Sequence, residues 1–302
     1  EIKSLDYIFI SHYHYDHIFG LINNLENLSN KTKLCMTNTT FLTIKNIILS
    51  NYKDNSANLI NILSSHYFEL TYFKTYYQNH LEFEIFRSGH TFGGYMLYIK
   101  EKNTSLFFSS DMDYVKDDFA RQYYIDKKIN VDFAILDGTR IDNETFKENK
   151  ITSIKFNNKN DMYLYCKLEK AICIAEYLSN KYQNNIIIYD YDLETYIKDF
   201  YYNGYDCFFN ENVFTHSGYK GYENNKKTKI ILSSIKRNNC NFFPDNLFSL
   251  HITDNDRKEF IAKYLSKNCK IILGHYTDKN IDEYCKQNNY LAIKEGDNYY
   301  EK

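Results

Sequence analysis

The chain has 302 residues, of which 43% are hydrophobic and 25% charged, and its formal net charge is −2. This length and composition are typical of a globular protein with one large domain or two modest ones. The net charge is close to zero, so the chain has no overall positive charge that would attract a polyanion. No apolar run approaches the roughly 18 residues of a membrane span. The seven cysteines are an odd number without Cys-x-x-Cys spacing. They argue against a disulfide framework and indicate a reducing, cytoplasmic setting.

Hydrophobic patterning predicts alternating strands and helices along the chain. The predicted strands are 5–11, 81–86, 95–100, 105–109, 131–136, 186–189, 229–233, 248–251 and 270–273. The predicted helices are 18–28, 40–49, 57–65, a stretch whose apolar face runs from Leu164 to Leu178, 193–202 and 254–265. The β-α alternation in the middle predicts a small α/β domain inserted into a parent α/β fold. We therefore expect a parent domain over 1–141, an insertion over 142–227 and the closing part of the parent over 228–302.

Four metal-ligand side chains follow the first predicted strand directly. His12, His14, Asp16 and His17 form an His-x-His-x-Asp-His motif. A loop at the end of a buried strand brings such side chains to one point, and imidazole and carboxylate suit zinc. The competing interpretation is a histidine-rich surface loop. The spacing and the preceding strand favour a metal site.

Three further candidate ligands each follow a predicted strand. His90 lies in SGHTFGG, Asp111 in FFSSD and His275 in IILGH. Asp113 is a rival to Asp111, but Asp111 ends its strand more directly. Taken singly, each of these residues is more often structural than a metal ligand. Because all three stand at strand ends, together they predict a second set of ligands, with Asp111 bridging two metals.

Longer stretches around these residues resemble a known superfamily. IFISHYHYDHIFGL, SGHTFGGYMLYI and LFFSSD are similar to the second, third and fourth motifs of the metallo-β-lactamase superfamily. VDFAILDGTR, SLHITDNDRKEFIAKYL and KIILGHYTD are similar to the acidic and closing histidine segments of its β-CASP branch, which contains nucleic-acid processing nucleases. The resemblance implies an αββα sandwich with an inserted small α/β cap. The first motif is not in this chain, so we expect the opening strands of the domain to be missing.

The resemblance also implies a mechanism. Two zinc ions would share a hydroxide that attacks phosphorus. Asp16 would bind a metal and orient the hydroxide, His251 would protonate the leaving oxygen, and Asp137 would orient His251. The implied activity is a phosphodiesterase or nuclease in RNA processing, with RNA favoured over DNA as substrate. The sequence leaves the oligomeric state open.

Two other functions remain open at this point. The first is hydrolysis of a small-molecule ester, lactone, thioester or phosphoester on the same scaffold, which the near-neutral charge and the small insertion favour. The second is a non-catalytic binding protein, because one fold hosts many functions. The complete ligand set argues against the second.

Overall fold

A computed structural model describes most of the chain. The chain forms two compact units. The first unit is formed by Glu1–Thr145 with Leu250–Lys302, and the second by Phe146–Ser249. The described residues are 4–114, 123–141, 161–166, 168–202, 207, 209–220, 228–234, 241–242, 251–276 and 280–293. Both units mix helices with strands, so the predicted α/β class is confirmed.

The first unit contains two sheets. Its strands are β1 (Tyr7–Phe9), β2 (Lys33–Met36), β3 (Tyr67–Glu69), β4 (Thr75–Gln78), β5 (Leu81–Arg87), β6 (Tyr95–Glu101), β7 (Thr104–Phe108), β8 (Phe133–Asp137), β14 (Lys270–Gly274) and β15 (Leu291–Ala292). Strands β1, β2 and β3 form a parallel sheet in that order. The larger sheet has the order β15-β14-β8-β7-β6-β5-β4. It is antiparallel from β4 to β7 and parallel from β7 to β15, because β7, β8, β14 and β15 are joined by crossovers rather than hairpins.

The larger sheet buries both of its faces. Side chains alternate along its strands, so Phe83 and Ile85 of β5 belong to one core cluster and Phe86 belongs to another. The first cluster also contains Cys35 of β2 and packs Phe9 of β1, so it joins the two sheets. The second cluster includes side chains from two helices at the end of the chain. The two sheets therefore share one core, and the larger sheet carries helices on its other side.

Helices cover these cores at their apolar faces. The helices of the first unit are α1 (Tyr15–Ile22), α2 (Asn38–Asn51), α3 (Ser56–His66), α7 (Asp254–Tyr264) and α8 (Ile281–Asn288). Threonine side chains cap the N-termini of two of these helices. Thr37 Oγ1 accepts from Thr40 N at α2, and Thr253 Oγ1 accepts from Asp256 N at α7. The helix predicted over 18–28 is shorter than expected. It ends at Ile22, and a single 3₁₀ turn follows at Leu25–Asn27.

The second unit is a parallel α/β domain. Its elements are β9 (Met162–Tyr165), α4 (Leu168–Lys181), β10 (Ile186–Tyr189), α5 (Tyr191–Tyr202), β11 (Val213–Thr215), α6 (His216–Tyr219), β12 (Lys229–Ser233) and β13 (Asn241–Phe242). The sheet order is β11-β10-β12-β9-β13, with every pairing parallel. Strand β10 is buried along its whole length, as a strand covered on both faces must be.

Two details of the predicted middle region need correction. Leu164 was assigned to a helix face, but it lies in β9, and the helix begins at Leu168. The strand at Lys229–Ser233 was expected to return to the parent domain. It pairs instead with β10 and β9 in the second unit. A short apolar run is compatible with either sheet, and only the long-range pairing decides. The strand predicted over 248–251 falls outside the described residues except for His251.

Among the described residues, no helix is long and apolar enough to cross a lipid bilayer.

Candidate metal centre

The histidine motif lies directly beyond the end of β1. The side chain of His12 is almost fully buried, and α1 begins at Tyr15 with His14 as its N-cap. The helix is fixed on its inner side by Ile18, Leu21 and Ile22, which are buried. The first turn of α1 therefore holds Asp16 and His17 beside the end of the strand.

Asp111 stands at the centre of the predicted ligands. Four histidines place Nε2 atoms close to its Oδ2 atom. The distances from Oδ2 are 3.4 Å to His17, 3.5 Å to His90, 3.5 Å to His275 and 3.8 Å to His12. These residues come from four separate segments of the first unit. The fold thus brings the four histidines together around one buried carboxylate.

The remaining ligand candidates complete two groups around Asp111. His14 Nδ1 lies 3.0 Å from His90 Nε2, and Asp16 Oδ2 lies 3.7 Å from His17 Nε2. In each group the potential ligand atoms lie within 4.8 Å of one another. Two of the four such groups among the described residues are His12 with His14 and His90, and Asp16 with His17 and His275. The other two are His12 with His17 and Asp111, and His90 with Asp111 and His251. The arrangement has the donor set and spacing for two neighbouring ions.

Burial and mutual contacts shift the pKa values of three residues in this cluster. Burial, together with the neighbouring histidines, holds the pKa of His12 well below its usual value, so its ring is neutral and has a lone pair for a metal. Burial by itself raises the pKa of Asp111, but the contact with His17 and the other histidines outweighs it and keeps that pKa low. Burial lowers the pKa of His17, but the contact with Asp111 outweighs that effect. The pKa of His17 is therefore above its usual value.

Buried nitrogen atoms test whether this cluster suits a metal. Among the described residues, Nε2 of His12 and Nε2 of His17 are buried and make no hydrogen bond. A buried polar atom without a partner costs free energy, and such atoms call for a specific explanation. Both point toward Asp111. A cation between these nitrogens and the carboxylate would satisfy all three groups, so the residues present fit a zinc centre.

A carboxylate and histidine pair adjoins this cluster. Asp137 ends β8 and is buried, and its Oδ2 lies 2.8 Å from His251 Nδ1. Its carboxylate also accepts from Met112 N at 3.1 Å and Thr139 N at 2.9 Å. Burial lowers the pKa of His251, but the contact with Asp137 has the larger, opposite effect. The pKa of His251 is therefore above its usual value. The His251 ring lies 4.9 Å from the His90 ring, so the pair borders the metal ligands.

Backbone conformation at the site is unusual at two positions. Ser110, which precedes Asp111, has φ +52°, and His275 has φ +53°. Residues with a Cβ rarely adopt this left-handed region, and such strain clusters at functional sites. The loop after His90 needs a true glycine as well. At Gly93 φ is +77°, and a Cβ would lie 2.7 Å from the Thr39 Cβ.

The rival aspartate has a different position. Asp113 is buried, but its Oδ1 accepts from Tyr114 N at 2.9 Å and is not among the grouped ligand atoms of the described residues. All seven residues predicted as metal ligands lie in the cluster, and His251 and Asp137 lie beside it. Their roles stay predictions.

Sequence reasoning missed three polar residues around the site. Ser11 and Ser110 contact each other through their hydroxyls beside His12. Arg257 is fully buried on α7, and its Nε donates to the carbonyl oxygen of Asp137 at 2.8 Å. Ser11 carried a usable signal, because it stands next to a proposed ligand. No local pattern distinguishes Arg257 from other charged residues of a helix.

Comparisons with known proteins find one matching family and a similar fold. The family model described as Anti-Pycsar protein Apyc1 matches residues 1–141. The chain is similar in fold to the crystal structure of a protein of unknown function from Enterococcus faecalis V583, with a TM-score of 0.51 and 11% identity. That similarity covers 93% of this chain and 72% of the other. No curated protein matches.

The family match corrects our identification from sequence. We assigned the chain to the metallo-β-lactamase superfamily and its β-CASP nuclease branch, and that assignment is wrong, because the family that matches is the anti-Pycsar one. The zinc nuclease function and the role in RNA processing rested on the same resemblance and are wrong with it. The error arose because the ligand motif reports the chemistry of a site and not the substrate.

Proposed function

We propose that this protein is a metal-dependent phosphodiesterase that hydrolyses a cyclic nucleotide. The observation that carries the proposal is the convergence of four histidine Nε2 atoms within 3.8 Å of the Asp111 carboxylate. Anti-Pycsar proteins degrade cyclic nucleotides, and the match to their family covers the segment that holds most of this cluster. A cyclic nucleotide is a small phosphodiester, which this chemistry suits.

The candidate ligands form two sets, each suited to one zinc ion. His12, His14 and His90 would hold one ion, Asp16, His17 and His275 the other, with Asp111 between them. Zinc supplies a nucleophile at neutral pH by acidifying water, and it neutralises charge on phosphoryl oxygens. The chain orients both ions on strand ends, which are more rigid than free loops.

The pair of His251 and Asp137 serves the leaving group. When water adds to phosphorus, one ester P–O bond of the cyclic phosphate breaks, and the released ribose oxygen needs a proton. Asp137 holds Nδ1 of His251 at 2.8 Å and therefore turns the opposite nitrogen, Nε2, away from itself. We assign to His251 Nε2 the proton donated to that oxygen, and to Asp137 the orientation of the ring.

The layering of the first unit supports this site. Its two sheets share a core, and α7 and α8 cover the other side of the larger sheet. We propose that this is the αββα layering expected from the sequence, with the second unit as an insertion. In that arrangement the ligand-bearing turns follow β1, β5, β7 and β14.

The decisive experiment is hydrolysis by the zinc-loaded full chain. We expect it to convert 3′,5′-cyclic nucleotides to nucleoside monophosphates, measured by chromatography, and a chelator to abolish the reaction until zinc is restored. A linear single-stranded RNA is the comparison substrate and should be cleaved far more slowly. If zinc binds but no cyclic nucleotide is opened, the proposed function is wrong.

Two exposed aromatic side chains lie on α1, which also carries Asp16 and His17. Tyr15 lies between two proposed ligands in the chain, is 53% exposed, and its ring lies 5.0 Å from that of Phe19. Adjacent Cα atoms are only about 3.8 Å apart, so the backbone of Tyr15 lies close to His14 and Asp16, and we propose that its ring contacts a nucleotide bound at the metals. Stacking of a base on an aromatic ring contributes roughly 1–3 kcal/mol. These rings therefore offer a platform for the nucleobase.

We predict that Tyr15→Ala raises the KM for a cyclic nucleotide by roughly 5- to 150-fold, the range that base stacking allows. The kcat with bis(p-nitrophenyl) phosphate, which has no base, should stay within a factor of two or so of the parent, because stacking is absent from that reaction. Tyr77→Ala, which removes an even more exposed tyrosine from β4, is the control. Equal losses on both substrates would rule out base recognition by Tyr15.

A further inference from the structure

A run of buried hydroxyls joins two ligand-bearing segments. Ser110 Oγ donates to Ser11 Oγ at 2.7 Å, and Ser11 Oγ lies 3.1 Å from Nδ1 of His12. Ser109 Oγ donates to the Ser110 carbonyl oxygen at 2.6 Å and accepts from Asp137 N at 2.9 Å. Ser11 and Ser110 are both less than one tenth exposed. The hydroxyls thus connect the turn after β1 with the turn after β7.

The hydroxyl beside His12 decides how that ring is held. For Nε2 of His12 to bind a metal, the ring proton must be on Nδ1, where it needs an acceptor. Ser11 Oγ is the acceptor in place. A hydroxyl can also donate, so Ser11 contacts Nδ1 in either tautomer of His12. The ring is therefore held before a metal arrives as well as after.

Ser110 completes this contact from the other segment. Its backbone has φ +52°, an uncommon conformation for a residue with a Cβ, and its hydroxyl bond to Ser11 helps to hold it. The next residue is Asp111, the carboxylate on which the histidines converge. One hydrogen bond therefore links the orientation of His12 to the position of Asp111.

We propose that Ser11 and Ser110 are positioning residues of the metal centre, acting through His12 and Asp111. The proposal rests on the proposed metal site. Partners beyond the ligands usually fix ring orientation, and their loss typically lowers metal affinity or activity by about 10- to 100-fold. A neutral hydroxyl takes that place at His12, and the two serines act together because one holds the other.

The test measures zinc affinity by competition with a chromogenic chelator on the full chain. Ser11→Ala and Ser110→Ala should each lower the affinity by about 10- to 100-fold, and Ser11→Thr, which keeps the hydroxyl, should restore most of it. Ser105→Ala is the matched control. It removes a buried hydroxyl at the opposite end of β7, where it bonds Asp132 at 2.8 Å, and should leave zinc affinity unchanged.

The outcomes separate this proposal from the proposed function. A parent chain that binds no zinc would refute the metal centre itself. Tight binding by the parent with unchanged affinity in both alanine variants would overturn only the role of the serines. If Ser11→Ala and Ser105→Ala weaken binding equally, the effect is general destabilisation, and the proposal fails. The double variant Ser11→Ala/Ser110→Ala should lose little more than either single variant, since the two hydroxyls act as one unit.

Discussion

Asp111→Asn should remove nearly all hydrolysis and reduce the zinc content of the purified chain. The amide keeps the shape of the side chain but loses the charge that faces four histidine nitrogens. Metal ions supply several kcal/mol of transition-state stabilisation, and each 1.36 kcal/mol is tenfold in rate, so we expect kcat to fall by about 10³-fold or more. Zinc analysis together with steady-state kinetics measures both effects.

The control for this variant lies two residues along the chain. Asp113 is as deeply buried as Asp111, but its Oδ1 binds Tyr114 N, and asparagine retains that acceptor. Asp113→Asn should therefore keep its zinc. Full zinc occupancy and near-normal kcat in Asp111→Asn would contradict a bridging carboxylate, and equal zinc loss in both variants would point to a general effect of buried charge.

His251→Gln should lower kcat for a cyclic nucleotide by roughly 10²- to 10⁴-fold, the usual contribution of a positioned acid, while the chain keeps its zinc. The substrate bis(p-nitrophenyl) phosphate tests whether His251 acts as an acid, because its phenolate leaving group departs without a proton. Its hydrolysis should fall much less. Asp137→Asn should show the same pattern of losses, because an amide cannot accept from His251 Nδ1, Met112 N and Thr139 N together and so holds the ring less firmly.

The alternative for His251 is a metal ligand, because its ring nitrogen also groups with His90 and Asp111. In that case His251→Gln would lose zinc and would slow both substrates equally. The exposed His80, which pairs with Glu101 at 3.0 Å, provides the control, and His80→Gln should change neither rate nor zinc content.

The sequence predicted the ligand-bearing framework well because strong periodic signals coincide there. Strands β5, β7 and β14, which candidate ligands follow, were predicted within one residue of their observed bounds. The short strands β2 and β3 were missed. With four and three residues they carry too little alternation, and their stability comes from parallel pairing with β1 and with each other.

The sequence predicted which candidate ligands the fold brings together, but it did not predict their surroundings. Each ligand ends or follows a strand, which a linear pattern shows. The hydroxyl contact between Ser11 and Ser110 joins residues 99 positions apart, and the bond from Arg257 to the Asp137 carbonyl spans 120 positions. Such contacts exist only after folding. The substrate class was misjudged for a related reason, since residue types at a metal centre do not encode what enters it.

The ligands of this centre differ widely in contact with solvent. The His12 and His90 side chains are 1% and 2% exposed, whereas Asp16 and His275 are 67% and 43% exposed. An ion held by the exposed group would exchange with bulk solution by simple ligand displacement. An ion held by the buried group would exchange more slowly, because solvent reaches fewer of its ligands. A chelator should therefore empty the two sets in a fixed order, the exposed one first.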